Sequence, residues 1–224
     1  MSKKIGFVPV RIGSKSIPKK NIKNWNNKPL LFWVCNALEK SSKIDEFWIA
    51  SDSEEINNIF NEFKFSKGNI YNRSIKNSQD KSSTESVLIE FINSKKLKKE
   101  DLIVLCQATS PYLKPTDIDS GITKIINKNF DSLLSVVKFE RFIWNNSGEA
   151  LNYDINNRPR RQDMEDYFIE NGALYISNVQ NILNSKCRLS GSVGYHIMPK
   201  QTEFELDEPE DWILSESLFH PTKY

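Results

Sequence analysis

The sequence predicts an α/β fold with a mostly parallel central sheet on three observations. Short apolar runs of strand length recur through residues 1–137, amphipathic segments of helical period lie between them, and polar stretches follow directly on the strand-like runs. Strands alternating with helices of this length are joined by crossovers, which set parallel strands side by side beneath covering helices. Ligands of such sheets sit beyond the carboxyl ends of the strands, so the polar stretches are where function is sought.

The strand-like runs are IGFVPV (5–10), EFWIAS (46–51), LIVLCQ (102–107) and SLLSVV (132–137). The helical patterns between them are LLFWVCNALEK (30–40), SEEINNIFNEF (53–63), TESVLIEFINS (84–94) and TDIDSGITKII (116–126). From about 138 to 171 neither period holds, and FERFIWNN and NNRPRRQDMEDYFIEN predict an excursion from the sheet. GALYIS (172–177) and SVGYHIMP (192–199) predict returning strands, and DEPEDWILSESLF (207–219) a closing helix with Pro209 in its first turn. The expected division is thus an α/β domain of 1–137 and 172–224, interrupted by an excursion at 138–171.

A chain of 224 residues, 38% hydrophobic and 27% charged, suffices for one sizeable core. A net charge of +2 is too small to draw nucleic acid or a membrane by bulk electrostatics, and neither partner is expected. Cys35, Cys106 and Cys187 lie far apart with no zinc spacing, which suits small buried hydrophobes in a reduced compartment. MSKKIGFVPV has too short an apolar run for a signal peptide, and no segment approaches a membrane span, so the cytoplasm is the expected location.

Six stretches hold candidate site residues. VPVRIGSKSIPKKNI (8–22) leads from a strand into a loop carrying Arg11, Ser14, Lys15, Lys19, Lys20 and Asn21, stiffened by Pro18. Cations with close backbone N–H groups suit a polyphosphate. Gly13 stands alone, however, so the loop fits neither the P-loop nor the dinucleotide fingerprint, and a solvated connection is the alternative. In SDSEE (51–55), Asp52 reads either as a ligand to a metal or sugar hydroxyl or as a helix N-cap paired with Glu55. NRSIKNSQDKSSTES (72–86) offers Arg73 and Asp80 in a long polar loop, with Ser82 and Glu85 spaced as a capping box. LCQATSPYLKP (105–115) runs from a strand into Gln107, Thr109, Ser110 and Pro111, and the Gln amide both donates and accepts. Three of the seven Arg fall in RPRRQD (158–163), where guanidinium forks suit carboxylates or phosphates; an oligomer contact is the other reading. In FELDEPEDW (204–212), Glu205 and Asp207 point to one side of an extended segment and can share Mg²⁺, or Asp207 can cap the closing helix with Glu210.

In order along the chain, these stretches resemble the acylneuraminate cytidylyltransferases: the CMP-sialic acid synthetases and their relatives for legionaminic, pseudaminic and other nonulosonic acids. RIGSKSIPKKNI resembles the family's signature loop R-x-G-S-K-x-I-P-x-K-N, and CQATSP its Q-x-T-S-P turn. NRPRRQD with ENGALYI resembles its later motif, and LDEPEDW its acidic closing motif, so the resemblance runs from residue 4 to about 219. It implies a Rossmann-like α/β nucleotidyltransferase domain with a small dimerisation element at 138–171. The implied reaction joins CTP to an acidic nine-carbon sugar with Mg²⁺, releasing pyrophosphate. The implied assembly is a homodimer whose excursions help build the neighbouring sugar pockets.

By the same resemblance, Arg11, Lys15, Lys20 and Asp207 carry the transfer, while Arg11, Ser14, Lys15, Asn21 and Arg73 hold the nucleotide. Gln107, Arg160, Asn171 and Tyr175 match positions around the sugar. Asp207 with Glu205 matches the metal site, with Asp52 a lesser candidate. Three departures are visible. Val10 replaces the usual small residue before the signature Arg, Glu205 stands where relatives often have Asp, and FERFIWNN lacks a Lys that some sialic acid enzymes use. The last leaves the sugar open. A relative that binds nucleotide or sugar without turnover, and an enzyme for another sugar such as Kdo, are the alternative readings.

Overall fold

The computed structural model describes residues 2–14, 16–79, 81–204 and 206–218. Among them the chain runs β1 (Lys4–Pro9), β2 (Asn24–Trp25), β3 (Lys28–Pro29), α1 (Leu30–Lys40), β4 (Glu46–Ser51), α2 (Glu54–Glu62) and β5 (Gly68–Asn72). It continues through α3 (Thr84–Lys95), β6 (Leu102–Cys106), α4 (Pro115–Lys128), β7 (Ser132–Phe139), β8 (Tyr167–Asn178), α5 (Val179–Ser185), β9 (Val193–Met198) and α6 (Pro209–Leu218).

β2 and β3 form a small hairpin, and the other seven strands make one sheet in the order β5-β4-β1-β6-β8-β7-β9. β5, β4, β1 and β6 are parallel neighbours, β8 runs antiparallel to both β6 and β7, and β9 is parallel to β7. Six strands therefore point one way and β8 alone reverses, which is the mostly parallel sheet the sequence predicts. The strands are apolar on both faces because helices cover both. On one side Leu31, Val34, Leu38, Ile118 and Ile122 of α1 and α4 join Val8, Phe47 and Val104 of the sheet. On the other, Val87, Leu88 and Phe91 of α3 and Ile182 of α5 join Phe7, Leu105 and Tyr175. Gly6 lets α1 approach closely: a Cβ there would lie 2.6 Å from Phe47 Cβ and 2.8 Å from Leu38 Cδ2.

A third apolar cluster lies at the carboxyl edge of the sheet, where Ile17, Trp25, Leu30 and Tyr112 enclose Leu206 and Trp212. Polar contacts reinforce it. Trp25 Nε1 donates to Ser215 Oγ at 2.9 Å, Tyr112 Oη donates to the Ser215 carbonyl at 2.5 Å, and Asn26 N–H reaches Glu216 Oε1 at 2.9 Å. The segment leading into α6 is thereby fixed against the loop that follows β1.

The sheet is longer than the sequence suggests at 138–171. β7 runs to Phe139 and pairs with β8 from Tyr167, so the excursion proper is 140–166. Lys138↔Phe168 and Phe139↔Tyr167 extend the ladder beyond the two-sided core, where Lys138 is exposed and the apolar run is broken. A wide bulge interrupts the pairing. Leu134 pairs with Tyr175 but Val136 with Glu170, leaving 171–174 opposite Ser135. Gly172, at φ 68°, supplies the left-handed backbone this turn needs. β5 and α5 are further elements that periodicity did not reveal, one rich in Asn and the other seven residues long.

Candidate active site

The ends of β1, β5 and β6 and the segment before α6 enclose one cavity of about 370 Å³. It is lined by Arg11, Ser14, Lys20 and Asn21 from the loop after β1, Arg73 from beyond β5, Gln107 from beyond β6, and Asp207. Seven predicted site residues separated by up to 196 positions in sequence thus meet, because parallel strands deliver their carboxyl ends to one edge. Lys15 and Glu205, along with Asp80, lie outside the described residues.

The loop is held from several sides. Asn21 Nδ2 donates to the Arg11 carbonyl at 2.9 Å, closing the loop on itself. Lys19, in the left-handed region at φ 51°, turns the chain and pairs with Glu55 at 2.7 Å. The turn drives Lys20 inward until it is 9% exposed. Its Nζ donates to the Leu206 carbonyl at 2.7 Å and to Asp207 Oδ1 at 2.8 Å. Ser16 Oγ donates to the Asp207 carbonyl. Asp207 is therefore not the helix cap that its spacing from Glu210 allows. It lies two residues ahead of α6, whose start is marked by Asp211 Oδ2 accepting from Glu208 N–H at 2.9 Å.

Arg73 is largely withdrawn from water. Burial pulls its pKa below the ordinary guanidinium value and Arg11 nearby adds to that, while Asp52 and Glu90 oppose it. Its Nε donates to the Ala50 carbonyl at 2.8 Å, which aims the guanidinium back across the end of β4. The loop that follows is bound to α3 through Glu90. Ser74 N–H (3.0 Å), Ser74 Oγ, Asn77 Nδ2 (2.5 Å) and Tyr71 Oη (2.7 Å) all donate to that one carboxylate. Partial burial alone would raise its pKa, but the hydrogen bonds led by Ser74 outweigh it and hold Glu90 down at about 2. Tyr71 moves the other way, pushed up to about 12 by burial and by donating to Glu90. Sequence spacing carries no sign of Glu90, which resembles any polar position of an amphipathic helix.

Two capping expectations are corrected. Ser83, not Ser82, caps α3 by accepting from Ser86 N–H at 3.1 Å, and Ser82 lines the cavity. Glu85 pairs with Arg188 at 2.6 Å instead of completing a capping box. Ser53, not Asp52, stands at the N-cap of α2, and Asp52 Oδ1 accepts from Ile12 N–H at 2.9 Å.

The remaining sugar candidates do not line this cavity. Asn171 is 3% exposed and spent internally: its Oδ1 accepts from Ser135 Oγ at 2.6 Å and its Nδ2 donates to Thr202 Oγ1 at 2.9 Å. Tyr175 is buried in the α3/α5 core, with its hydroxyl donating to Glu170 and Arg188 over its ring at 4.9 Å. Arg160 is exposed on the excursion and pairs with Asp163 at 2.6 Å.

Among the described residues no group of three or more His, Cys, Asp or Glu converges as a metal cage. What the cavity offers is the Asp207 carboxylate, 61% exposed at its mouth. Lys20 occupies Oδ1 of that carboxylate, which leaves the other oxygen for a divalent cation that binds through one or two carboxylates while keeping water and substrate phosphates.

Solved structures share this architecture. The chain is similar to CMP:2-keto-3-deoxy-manno-octonic acid synthetase, solved in complex with CTP, with a TM-score of 0.70 and 16% identity over 97% of this chain and 98% of that one. It is also similar to 4-diphosphocytidyl-2C-methyl-D-erythritol synthase of Anaerococcus prevotii, with a TM-score of 0.66 and 10% identity over 96% and 95% of the two chains. Sequence narrows this fold class to a family: residues 5–218 match the cytidylyltransferase family model, and the chain belongs to that family. It is 34% identical over 218 residues to N-acylneuraminate cytidylyltransferase B of Danio rerio, covering 94% of this chain and 50% of the relative. It is 24% identical over 226 residues to the pseudaminic acid cytidylyltransferase of Campylobacter jejuni, covering 97% and 96%. The chain spans about half the length of the N-acylneuraminate relatives it matches. No helix among the described residues is long and apolar enough to cross a membrane.

Proposed function

We propose that the chain activates a nonulosonic acid by transferring CMP from CTP to the sugar's anomeric hydroxyl, releasing pyrophosphate. The observation that carries this reading is the convergence of Arg11, Lys20, Arg73, Gln107 and Asp207 on one strand-end cavity in a chain of the cytidylyltransferase family. In the transfer, the anomeric oxygen bonds to the α-phosphorus as the bond to pyrophosphate breaks, and the hydroxyl proton leaves to a nearby carboxylate. Little covalent work falls to the protein, so positioning and charge stabilisation dominate. Arg11, Ser14, Lys15, Asn21 and Arg73 would hold the nucleotide, with Lys20 a further phosphate contact, and Gln107 would meet the sugar. Asp207, with Glu205, would hold Mg²⁺, which supplies charge neutralisation on the phosphates.

A homodimer belongs to the same proposal. Edge strand β9 leaves Tyr195 and Ile197 42% and 51% exposed, and Phe168 rests against Tyr195 with ring centroids 4.9 Å apart. The excursion adds exposed Trp144, Leu151 and Ile155. An apolar sheet edge of this kind is an interaction surface, and a partner seated there would bring Arg160 to a neighbouring cavity. The cytoplasm is the proposed location, supported by the free thiols; Cys35 and Cys106 are the buried hydrophobes the sequence predicts, whereas Cys187 is exposed.

The test is pyrophosphate release with CTP and Mg²⁺ across sialic, legionaminic, pseudaminic and Kdo acids, with an EDTA control. Metal-dependent turnover of one nine-carbon acid is expected. CTP binding without turnover of any acid would favour the binding-only reading. For the assembly, mixing Arg160→Ala with Lys20→Met chains is expected to restore activity through mixed dimers.

A further inference from the structure

The end of β4 is the point at which the two walls of the cavity are tied together. The Ala50 carbonyl accepts both from Val10 N–H at 2.9 Å, ahead of the first loop, and from Arg73 Nε at 2.8 Å, at the start of the second. The Ser51 carbonyl accepts from Arg73 N–H at 2.8 Å. The next residue, Asp52, spends Oδ1 on Ile12 N–H at 2.9 Å, the amide immediately after Arg11. Asp52 and Arg73 also line a common cleft on the far side of this junction, whereas Asp52 does not line the cavity that holds Arg11, Lys20 and Asp207.

We propose that Asp52 is a positioning residue for nucleotide binding, holding the first turn of the phosphate-facing loop through Ile12 N–H so that Arg11 enters the cavity beside Arg73. It acts through the loop backbone, by accepting from Ile12 N–H, and touches neither nucleotide nor metal. Gly13 and Ser14 follow with no regular structure, and among the hydrogen bonds found for the described residues the Arg11 carbonyl is held by the side chain of Asn21, itself part of the loop. Through Asp52 this turn is tied to the residue that follows β4.

This inference rests on the proposed use of CTP, so its test includes a readout that needs no substrate. Hydrogen exchange at the Ile12 amide of the nucleotide-free protein is expected to quicken by about tenfold in Asp52→Ala, the scale of one lost hydrogen bond, and by less than about threefold in Asp52→Asn, whose amide oxygen still accepts. CTP affinity measured in EDTA is expected to follow the same order, with KM for CTP rising about tenfold in Asp52→Ala while kcat stays within about threefold. The Mg²⁺ concentration giving half-maximal rate is expected to stay unchanged in both variants. Unaltered Ile12 exchange in Asp52→Ala overturns the proposal whether or not the wild-type chain binds CTP. So does a shifted metal requirement with kcat lost equally in both variants, which would make Asp52 a metal ligand. If the wild-type chain fails to bind CTP while Ile12 exchange responds as expected, the anchor stands and the CTP reading falls.

Discussion

Lys20→Met removes a charge from the cavity while keeping most of the side chain's stem, so it isolates what the ammonium contributes. The side chain is 11% exposed and its partner Asp207 is 61% exposed, so the two halves of the interaction carry unequal weight. A charged donor to a carbonyl is worth about 1.5–3 kcal/mol, and Leu206, whose carbonyl accepts it, is 0% exposed. The Asp207 half counts as a largely solvated pair, at most about 1 kcal/mol, since that carboxylate rehydrates when the cation goes. Relief from burying an ammonium offsets part of the sum. The expected net loss is about 1–2 kcal/mol, which lowers Tm by about 3–6 °C in a domain of this size. If Lys20 also faces developing phosphate charge, kcat for pyrophosphate release falls by about 10²–10³. Calorimetry and a pyrophosphate assay on the same preparation read both effects. A variant with unchanged Tm and pyrophosphate release within about threefold of wild type would refute the argument, because a buried ammonium with two partners cannot be removed silently.

Glu90→Gln probes the brace behind Arg73. A carboxylate held at about 2, against an ordinary value of 4.5, adds stability that is fully present above pH 4.5 and lost as pH falls toward 2. Urea midpoints should therefore drop over that window in the wild type and drop less in the variant; parallel curves would remove Glu90 from the account. Gly6→Ala places a methyl 2.6 Å from Phe47 Cβ, between two elements that cannot both yield, and should cost about 1–3 kcal/mol by chemical denaturation. An unchanged midpoint would mean that α1 shifts freely. Asn171→Ala strips a buried amide from Ser135 and Thr202 and should lose about 1–3 kcal/mol with no rise in sugar KM. A raised KM at full stability would instead return Asn171 to the sugar.

Much of the fold was legible because its signals are local. The runs at 46–51 and 30–40 became β4 and α1 with no change of boundary, and 102–107 and 132–137 became strands within two residues at either end. Where burial is one-sided or the element is short, the signal fails. β5 sets adjacent Ile70 and Tyr71 between two Asn with no alternation, α5 spans two turns, and the outer half of β8 leaves Ile169 exposed. The capping readings failed for a different reason. Asp52, Ser82 and Glu85 occupy positions that local spacing permits as caps, but each found a longer-range role or ceded the cap to its neighbour.

The amino-acid order by itself determined the α/β class, the mostly parallel sheet, and the loops that hold Arg11, Lys20, Arg73, Gln107 and Asp207. Hydrophobic period and strand-end chemistry are written within ten or so residues. Only the tertiary structure decided that Lys20 and Asp207 are paired at 2.8 Å, that one Glu90 carboxylate gathers Tyr71, Ser74 and Asn77, and that Asn171 turns inward at a bulge. Each of those depends on where two distant segments meet. A carboxylate or an amide carries no mark in sequence of the partner it will meet, because its partner is chosen by which strand ends converge and which groups are left without water.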